Sequence, residues 1–269
     1  MNIGAVKNMS EIISSEATHS DAILVEKKSR YWILTFNRPR QRNTINQDIL
    51  HRLSKLLDDV EADSDCSMVV ISGCGGFFCT GMDFSELSAG GPTANAEGND
   101  YMQLLKKIAS LSKVVVARVD GVVMAGGVGI VAASDLVFAS TNSEFSLSEA
   151  LWGLLPACVT PFLIRRVGVH RAYKMTLTTE TLNADEAYRI GLIDVLSDDI
   201  DKAIHRQFLR LVRLDSDTVK TMKAYFKKMW VFDDAMESVA VDELNRLVNS
   251  NRVRANIDNY VNHNQFPWE

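Results

Sequence analysis

The spacing of apolar residues changes period several times along the chain. AILVEKKSRYWILTF (22–36) holds two apolar runs around a polar turn at Lys27 to Arg30, which predicts two strands. Asn37-Arg38-Pro39 ends the second. In NQDILHRLSKLLDDVEAD (46–63) the period becomes helical. Ile49, Leu50, Leu53, Leu56, Leu57 and Val60 form one stripe, with Asn46 in the N-cap position. MVVIS (68–72) reads as a short buried strand, GCGGFFCTGMDF (73–84) as a glycine-rich loop, and Tyr101 to Leu111 as a helix. KVVVARVDG (113–121) is a strand, MAGGVG (124–129) opens a short helix, and DLVFAS (135–140) is another strand. NADEAYRIG (183–191) is a helix that starts at Asn183 and stops before Gly191.

Strands alternating with helices predict βαβ units and a mostly parallel sheet. From about 200 to 264 only helical periodicity remains. The expected organisation is an α/β core over 21–200, a helical C-terminal region over 201–269, and a poorly ordered tail over 1–20. Leu209, Leu211, Met222, Tyr225, Phe226, Met229 and Trp230 give that helical region more apolar surface than a small appendage needs. Packing on a neighbouring core or subunit is expected.

Composition narrows the function classes. A net charge of -5 counts against nucleic acid as a partner. No apolar run reaches the ~18 residues of a membrane span. The first 20 residues lack the basic start and apolar stretch of a signal peptide, so the expected location is the cytoplasm. Cys66, Cys74, Cys79 and Cys158 form no CxxC pair, and no histidine clusters with them. Reduced thiols and no metal site are expected.

The glycines of residues 124–129 need an explanation. A phosphate loop would require GxxxxGK[ST], which is absent. A dinucleotide fold would require GxGxxG after the first strand, and Gly126-Gly127-Val128-Gly129 does not fit. Close helix–sheet packing is one reading. A second reading comes from FCTGMDF (78–84), which follows the strand MVVIS as MAGG follows VVVARVDG. Two parallel strands that each end in a glycine turn and a helix start present unpaired N–H groups on one side. Two donors converging on one oxygen make an oxyanion hole, where each is worth roughly 3–4 kcal/mol in a transition state. Glycine would then admit the oxygen to the backbone.

Such a hole needs a proton-transfer group, and the candidate is Glu149 in FSLSEALWGLLP (145–156). A solvated carboxylate in a first helical turn is the plain alternative. Its neighbours Phe145, Leu147, Leu151 and Leu154 are apolar, however, and burial among them would raise its pKa into the acid–base range.

Taken together, these segments resemble the crotonase, or enoyl-CoA hydratase/isomerase, superfamily. The likeness runs from about residue 22 to the end. It includes the Asn-Arg-Pro…Asn pattern (37–43), FCTGMDF, VDGVVMAGG, FSLSEALWGLLP and AYRIGLID (187–194). The resemblance implies a ββα spiral core of ClpP-like type and a helical C-terminal trimerisation region, giving homotrimers or dimers of trimers. It implies a thioester substrate whose carbonyl is held by the backbone N–H groups of Met82 and Gly126. Hydratases of this superfamily carry a first glutamate three residues after the second oxyanion glycine, where this chain has Gly129. Glu149 matches the second glutamate. One acid/base remains, enough for a proton shift or an elimination.

AGGVGIVAASD, FSLSEALWGLLPACVTPFLIRRVG (145–168) and the terminal QFPWE (265–269) are similar to the PksH-type dehydratases of polyketide β-branching cassettes. That resemblance implies dehydration of 3-hydroxy-3-methylglutaryl to 3-methylglutaconyl on an acyl carrier protein, followed by a sister decarboxylase. It implies no cofactor beyond the carrier's phosphopantetheine. Arg118 and Asp83 are candidate substrate contacts, or else an ion-pair partner and a helix cap respectively. Arg165, Arg166, Arg171 and Lys174 are either a carrier-protein patch or a solvated face. The rival readings are an enoyl-CoA double-bond isomerase and a non-catalytic binding protein of the same fold.

Overall fold

Consecutive residues of one strand serve different layers. In β3 (Met68–Gly73), Val69 and Ile71 join the apolar cluster that contains Ile49, Leu53, Met102 and Leu105, whereas Met68 and Val70 join a second cluster with Ile200, Ile204 and Val219. In β5 (Val114–Val119), Val115 and Ala117 go to the first cluster, Val114 and Val116 to the second. This period-2 division of an all-apolar run is what a sheet buried on both faces requires. The computed structural model describes residues 21–88, 94–230 and 234–269, so the expected tail over 1–20 lies outside the described residues.

The large sheet has the order β1 (Ile23–Lys27), β2 (Tyr31–Phe36), β3, β5, β7 (Leu136–Ala139), β10 (Val195–Leu196). Only the β1–β2 pair is antiparallel, as a hairpin turn at Lys28 to Arg30 dictates. A smaller sheet has the order β4 (Phe77–Cys79), β6 (Val122–Met124), β8 (Glu144–Ser146), β9 (Leu182–Asn183). Its first three strands are parallel. The chain thus spirals. Each of β3, β5 and β7 is followed by a short strand of the second sheet, then by a helical element. This is the ββα repeat expected of the fold. β4 lies inside what the sequence presents as a loop, because three residues are too few to show an alternation. Gly121, at φ +116°, turns the chain from one sheet to the other. A Cβ there would lie 2.0 Å from the Gly76 carbonyl oxygen.

Helices cover both faces of the large sheet. α1 (Gln47–Ala62) and α3 (Ala94–Ser110) lie on one side; α8 (Ile200–Leu211) and α9 (Ser216–Met229) lie on the other. Asn46 caps α1 by accepting from the Ile49 N–H at 3.0 Å. α7 (Ala184–Arg189) begins with a reciprocal Asn183–Glu186 capping box, and Gly191 follows it at φ +83°. α10 (Asp234–Val248) packs on α3. α11 (Asn251–His263) packs on α2 (Phe84–Ser88) and on the 3-10 turn Glu149–Trp152. Among the described residues no helix is long and apolar enough to cross a membrane.

Candidate active site

The first glycine turn is held from the side of α1. Ile45 donates to the Gly81 carbonyl at 2.7 Å and accepts from the Asp83 N–H at 2.8 Å. In such a bridge the intervening residue turns its own N–H the other way. That residue is Met82, which lines a cavity of about 650 Å³. The early Asn-Arg-Pro…Asn segment locks the arrangement. Asn43 is buried and donates to the Cys74 and Phe77 carbonyls at 3.0 and 2.6 Å. Arg38 donates to the Thr44 carbonyl at 2.8 Å and to Asp83 Oδ2 at 3.3 Å. Nothing in the sequence assigned these residues a task.

The second turn begins α4 (Gly126–Ala133), so the Gly126 N–H has no intrahelical acceptor. Ala125 before it adopts φ +48°, ψ −120°, a strained conformation for a residue with a Cβ. Its own N–H donates to the Ser146 carbonyl on β8 at 3.0 Å. Gly81, at φ +92°, packs directly against this turn. A Cβ on Gly81 would stand 2.7 Å from the Ala125 Cβ and 3.3 Å from the Gly126 nitrogen. The two donor segments are therefore in van der Waals contact, and both Met82 and Gly126 line the one cavity.

Of the two readings of the α4 glycines, close helix–sheet packing is the one that the backbone distances bear on, at Gly127. A Cβ on Gly126 would face Tyr101 and Ile45 at 3.4–3.5 Å. A Cβ on Gly127 would stand 2.3 Å from the Cys79 carbonyl oxygen on β4. Close packing of helix on sheet is the physical requirement at Gly127, while the N–H of Gly126 is left without an intrahelical acceptor by its place at the helix start.

Glu149 opens the 3-10 turn after β8 and lines the same cavity. Of its apolar neighbours in sequence, Phe145, Leu147 and Leu154 are buried, while Leu151 points outward, 42% exposed. The carboxylate Oε2 is buried with no hydrogen-bond partner. Burial pushes its pKa up to about 7. A group held there is populated as both acid and base near neutrality. Trp152, in the same turn, is wedged between Phe84, Tyr260 and the terminal Phe266 and Trp268. The QFPWE segment thus packs against the turn that carries Glu149.

Asp83 lines the cavity but its carboxylate is engaged. Oδ2 meets Arg38 and accepts from Thr44 at 3.0 Å, and Oδ1 accepts from the Ser85 N–H at 3.2 Å. It caps α2 and braces the Met82 loop. Arg118 is not at the cavity, contrary to its standing as a candidate substrate contact. It forms a bidentate pair with Asp201 of α8, at 2.6 and 3.3 Å. Two of the four cations of the basic cluster are structural as well, while Arg171 and Lys174 are exposed. Arg165 donates to the Ala132 and Ala133 carbonyls at the end of α4 and covers the Trp230 ring at 4.8 Å. Desolvation pulls its pKa down to about 10. Arg166 is 8% exposed and paired with Asp194 at 2.9 Å. The cations that do line the cavity are Arg40 and Arg42, both exposed at its opening. Among the described residues no group of three or more histidine, cysteine or acidic side chains is arranged to hold a metal.

The comparisons with known proteins identify the family and the fold. The family model described as enoyl-CoA hydratase/isomerase matches residues 26–269. The bacillaene synthase dehydratase PksH of Bacillus subtilis is 35% identical over 240 residues, 88% of this chain and 92% of that protein. The 2,3-dehydroadipyl-CoA hydratase of Escherichia coli is 34% identical over 181 residues, 66% of this chain and 70% of that one. A crystal structure of PksH from Bacillus subtilis superposes with a TM-score of 0.85 at 32% identity, covering 92% of this chain and 99% of that one.

Proposed function

Because the chain belongs to the enoyl-CoA hydratase/isomerase family and is an enzyme of hydratase or dehydratase type, we propose that it dehydrates 3-hydroxy-3-methylglutaryl on an acyl carrier protein. The product is the 3-methylglutaconyl thioester on the same carrier. The Met82 and Gly126 N–H groups donate hydrogen bonds to the thioester oxygen as negative charge develops on it. Glu149 removes a C2 proton and forms the enolate. The enolate expels the C3 hydroxyl, which leaves as water with the proton that Glu149 took. The carboxylate is regenerated and a C2=C3 double bond remains. The step uses no metal and no resident cofactor; the substrate brings the phosphopantetheine arm.

The observation that carries this reading is one desolvated carboxylate, with a buried oxygen that has no hydrogen-bond partner, in a cavity also lined by the two residues that present backbone donors from separate turns. Arg40 and Arg42 at the opening suit the phosphate of the arm and an acidic carrier surface. The reading extends to cytoplasmic homotrimers or dimers of trimers, and to a decarboxylase that consumes the product. Its test is the intact mass of a carrier protein loaded with 3-hydroxy-3-methylglutaryl, before and after the enzyme is added. Loss of one water, absent with Glu149→Gln, is expected. An unchanged mass together with isomerisation of an unsaturated acyl-CoA would replace the dehydratase by a double-bond isomerase.

A further inference from the structure

Tyr101, on α3, is buried and lines the cavity that holds Glu149. Its hydroxyl donates to the Gly126 carbonyl at 2.5 Å. It also stands over Gly129. A Cβ built on Gly129 would lie 2.1 Å from the Tyr101 Oη and 3.0 Å from the Val159 Cγ2, and both of those residues line the cavity. A side chain at 129 would therefore run toward the cavity through the place the phenol occupies. The helix cannot back away, since Gly127 already lies against the Cys79 carbonyl.

We propose that Tyr101 is a positioning and specificity-determining residue of this site. Its phenol fixes the residue that presents the second oxyanion donor, and it closes the route by which a second acid/base side chain from position 129 would reach the cavity. The proposal rests on the oxyanion reading of Met82 and Gly126. Burial raises the Tyr101 phenol well above its usual pKa, so it stays protonated and remains a donor throughout the working range. Its bond holds residue 126 from outside the helix, next to the strained Ala125. With glycine at 129, α4 presents no second carboxylate to Glu149, and the phenol fills the place where one would start. The cavity is thereby restricted to reactions that one carboxylate can run.

Two measurements test this. Tyr101→Phe keeps the ring and removes the donor. Exchange of the C2 proton of a carrier-bound thioester with deuterated solvent reads enolate formation directly. We expect kcat for exchange to fall about tenfold with KM within about twofold. A merely structural role would lower the melting temperature and leave kcat of the folded enzyme unchanged, which would overturn the positioning claim. The second measurement uses no substrate. Gly129→Ala is expected to lower the melting temperature by about 5 °C or more in the parent chain, and by much less in the Tyr101→Phe background, where the clashing oxygen is gone. Equal losses in both backgrounds would show that the phenol and position 129 do not share space. If Gly129→Ala yields no soluble protein, recovery of soluble protein by Tyr101→Phe is the same readout. A chain that neither exchanges nor dehydrates would defeat the oxyanion reading, while the melting cycle would still decide who occupies the space.

Discussion

Glu149 is costly to the fold in a way that depends on pH. Its carboxyl titrates near 7 in the native protein and near 4.5 when unfolded. The native state therefore binds extra protons between those values, and stability falls as pH rises through that window. Above it the deficit is about 3 kcal/mol. Glutamine carries no such term. Glu149→Gln should thus gain on the parent enzyme by roughly 2–3 kcal/mol between pH 4.5 and pH 8 in urea unfolding. A difference that stays constant with pH would mean that the carboxyl titrates normally. The parent enzyme's kcat/KM should rise with pH through about 7, as the base form fills. Glu149 was legible because one acid among Phe145, Leu147 and Leu154 contradicts its surroundings. The task of an arginine was not legible in the same way. Arg118 was read against its neighbours in sequence, but its partner Asp201 lies 83 positions on. Tyr101 gave no signal, since an aromatic residue on a helix is ordinarily core.

At the scale of elements, the α4 start is where packing and chemistry meet. The helix presses on β4 so closely that Gly127 leaves no room for a methyl group beside the Cys79 carbonyl. Gly127→Ala should cost about 3 kcal/mol, since backbone stands on both sides of the clash. The same shift should pull the Gly126 N–H away from its partner donor and lower kcat. Equilibrium unfolding together with the exchange assay would check both effects, and a stable, fully active variant would refute the packing account. The long elements were readable from the sequence. α1 announces itself by one stripe and a capping asparagine, and α7 by Asn183 at its start and Gly191 past its end. The second sheet was not readable. Its strands have two or three residues each, and they are specified by partners across the chain, such as Phe77 beside Val122. The geometry that joins the two donors is likewise tertiary: Gly81 touches Ala125, 44 positions away, through a positive φ that no local pattern demands.

At the scale of the whole molecule, two outward stripes remain unexplained by the chain's own core. Val169, Tyr173 and Leu177 follow one another at four-residue spacing on α6 (Val169–Thr178). Met222, Tyr225, Phe226 and Met229 form a second stripe on α9, with Tyr225 and Phe226 three and four residues after Met222. All seven are exposed. Val169, Met222, Phe226 and Met229 line a common groove with Phe162 and Trp230. The sequence showed that this region is rich in apolar residues. It did not show that α9 turns Val219 to the sheet and these residues outward. Contiguous apolar surface of this kind is ordinarily covered, and further copies of the chain would cover it in a homotrimer. Phe226→Glu combined with Met229→Glu should leave the fold intact, because neither side chain is part of the buried clusters. It should also place charges where apolar faces must meet. Light scattering behind size exclusion should then report a monomer in place of the parent's assembly. An unchanged mass would move the interface to another face. Since Met82, Gly126 and Glu149 all belong to one chain, the monomer should retain measurable C2 exchange. Loss of exchange in a folded monomer would mean that assembly holds the α10–α11 side of the cavity in place.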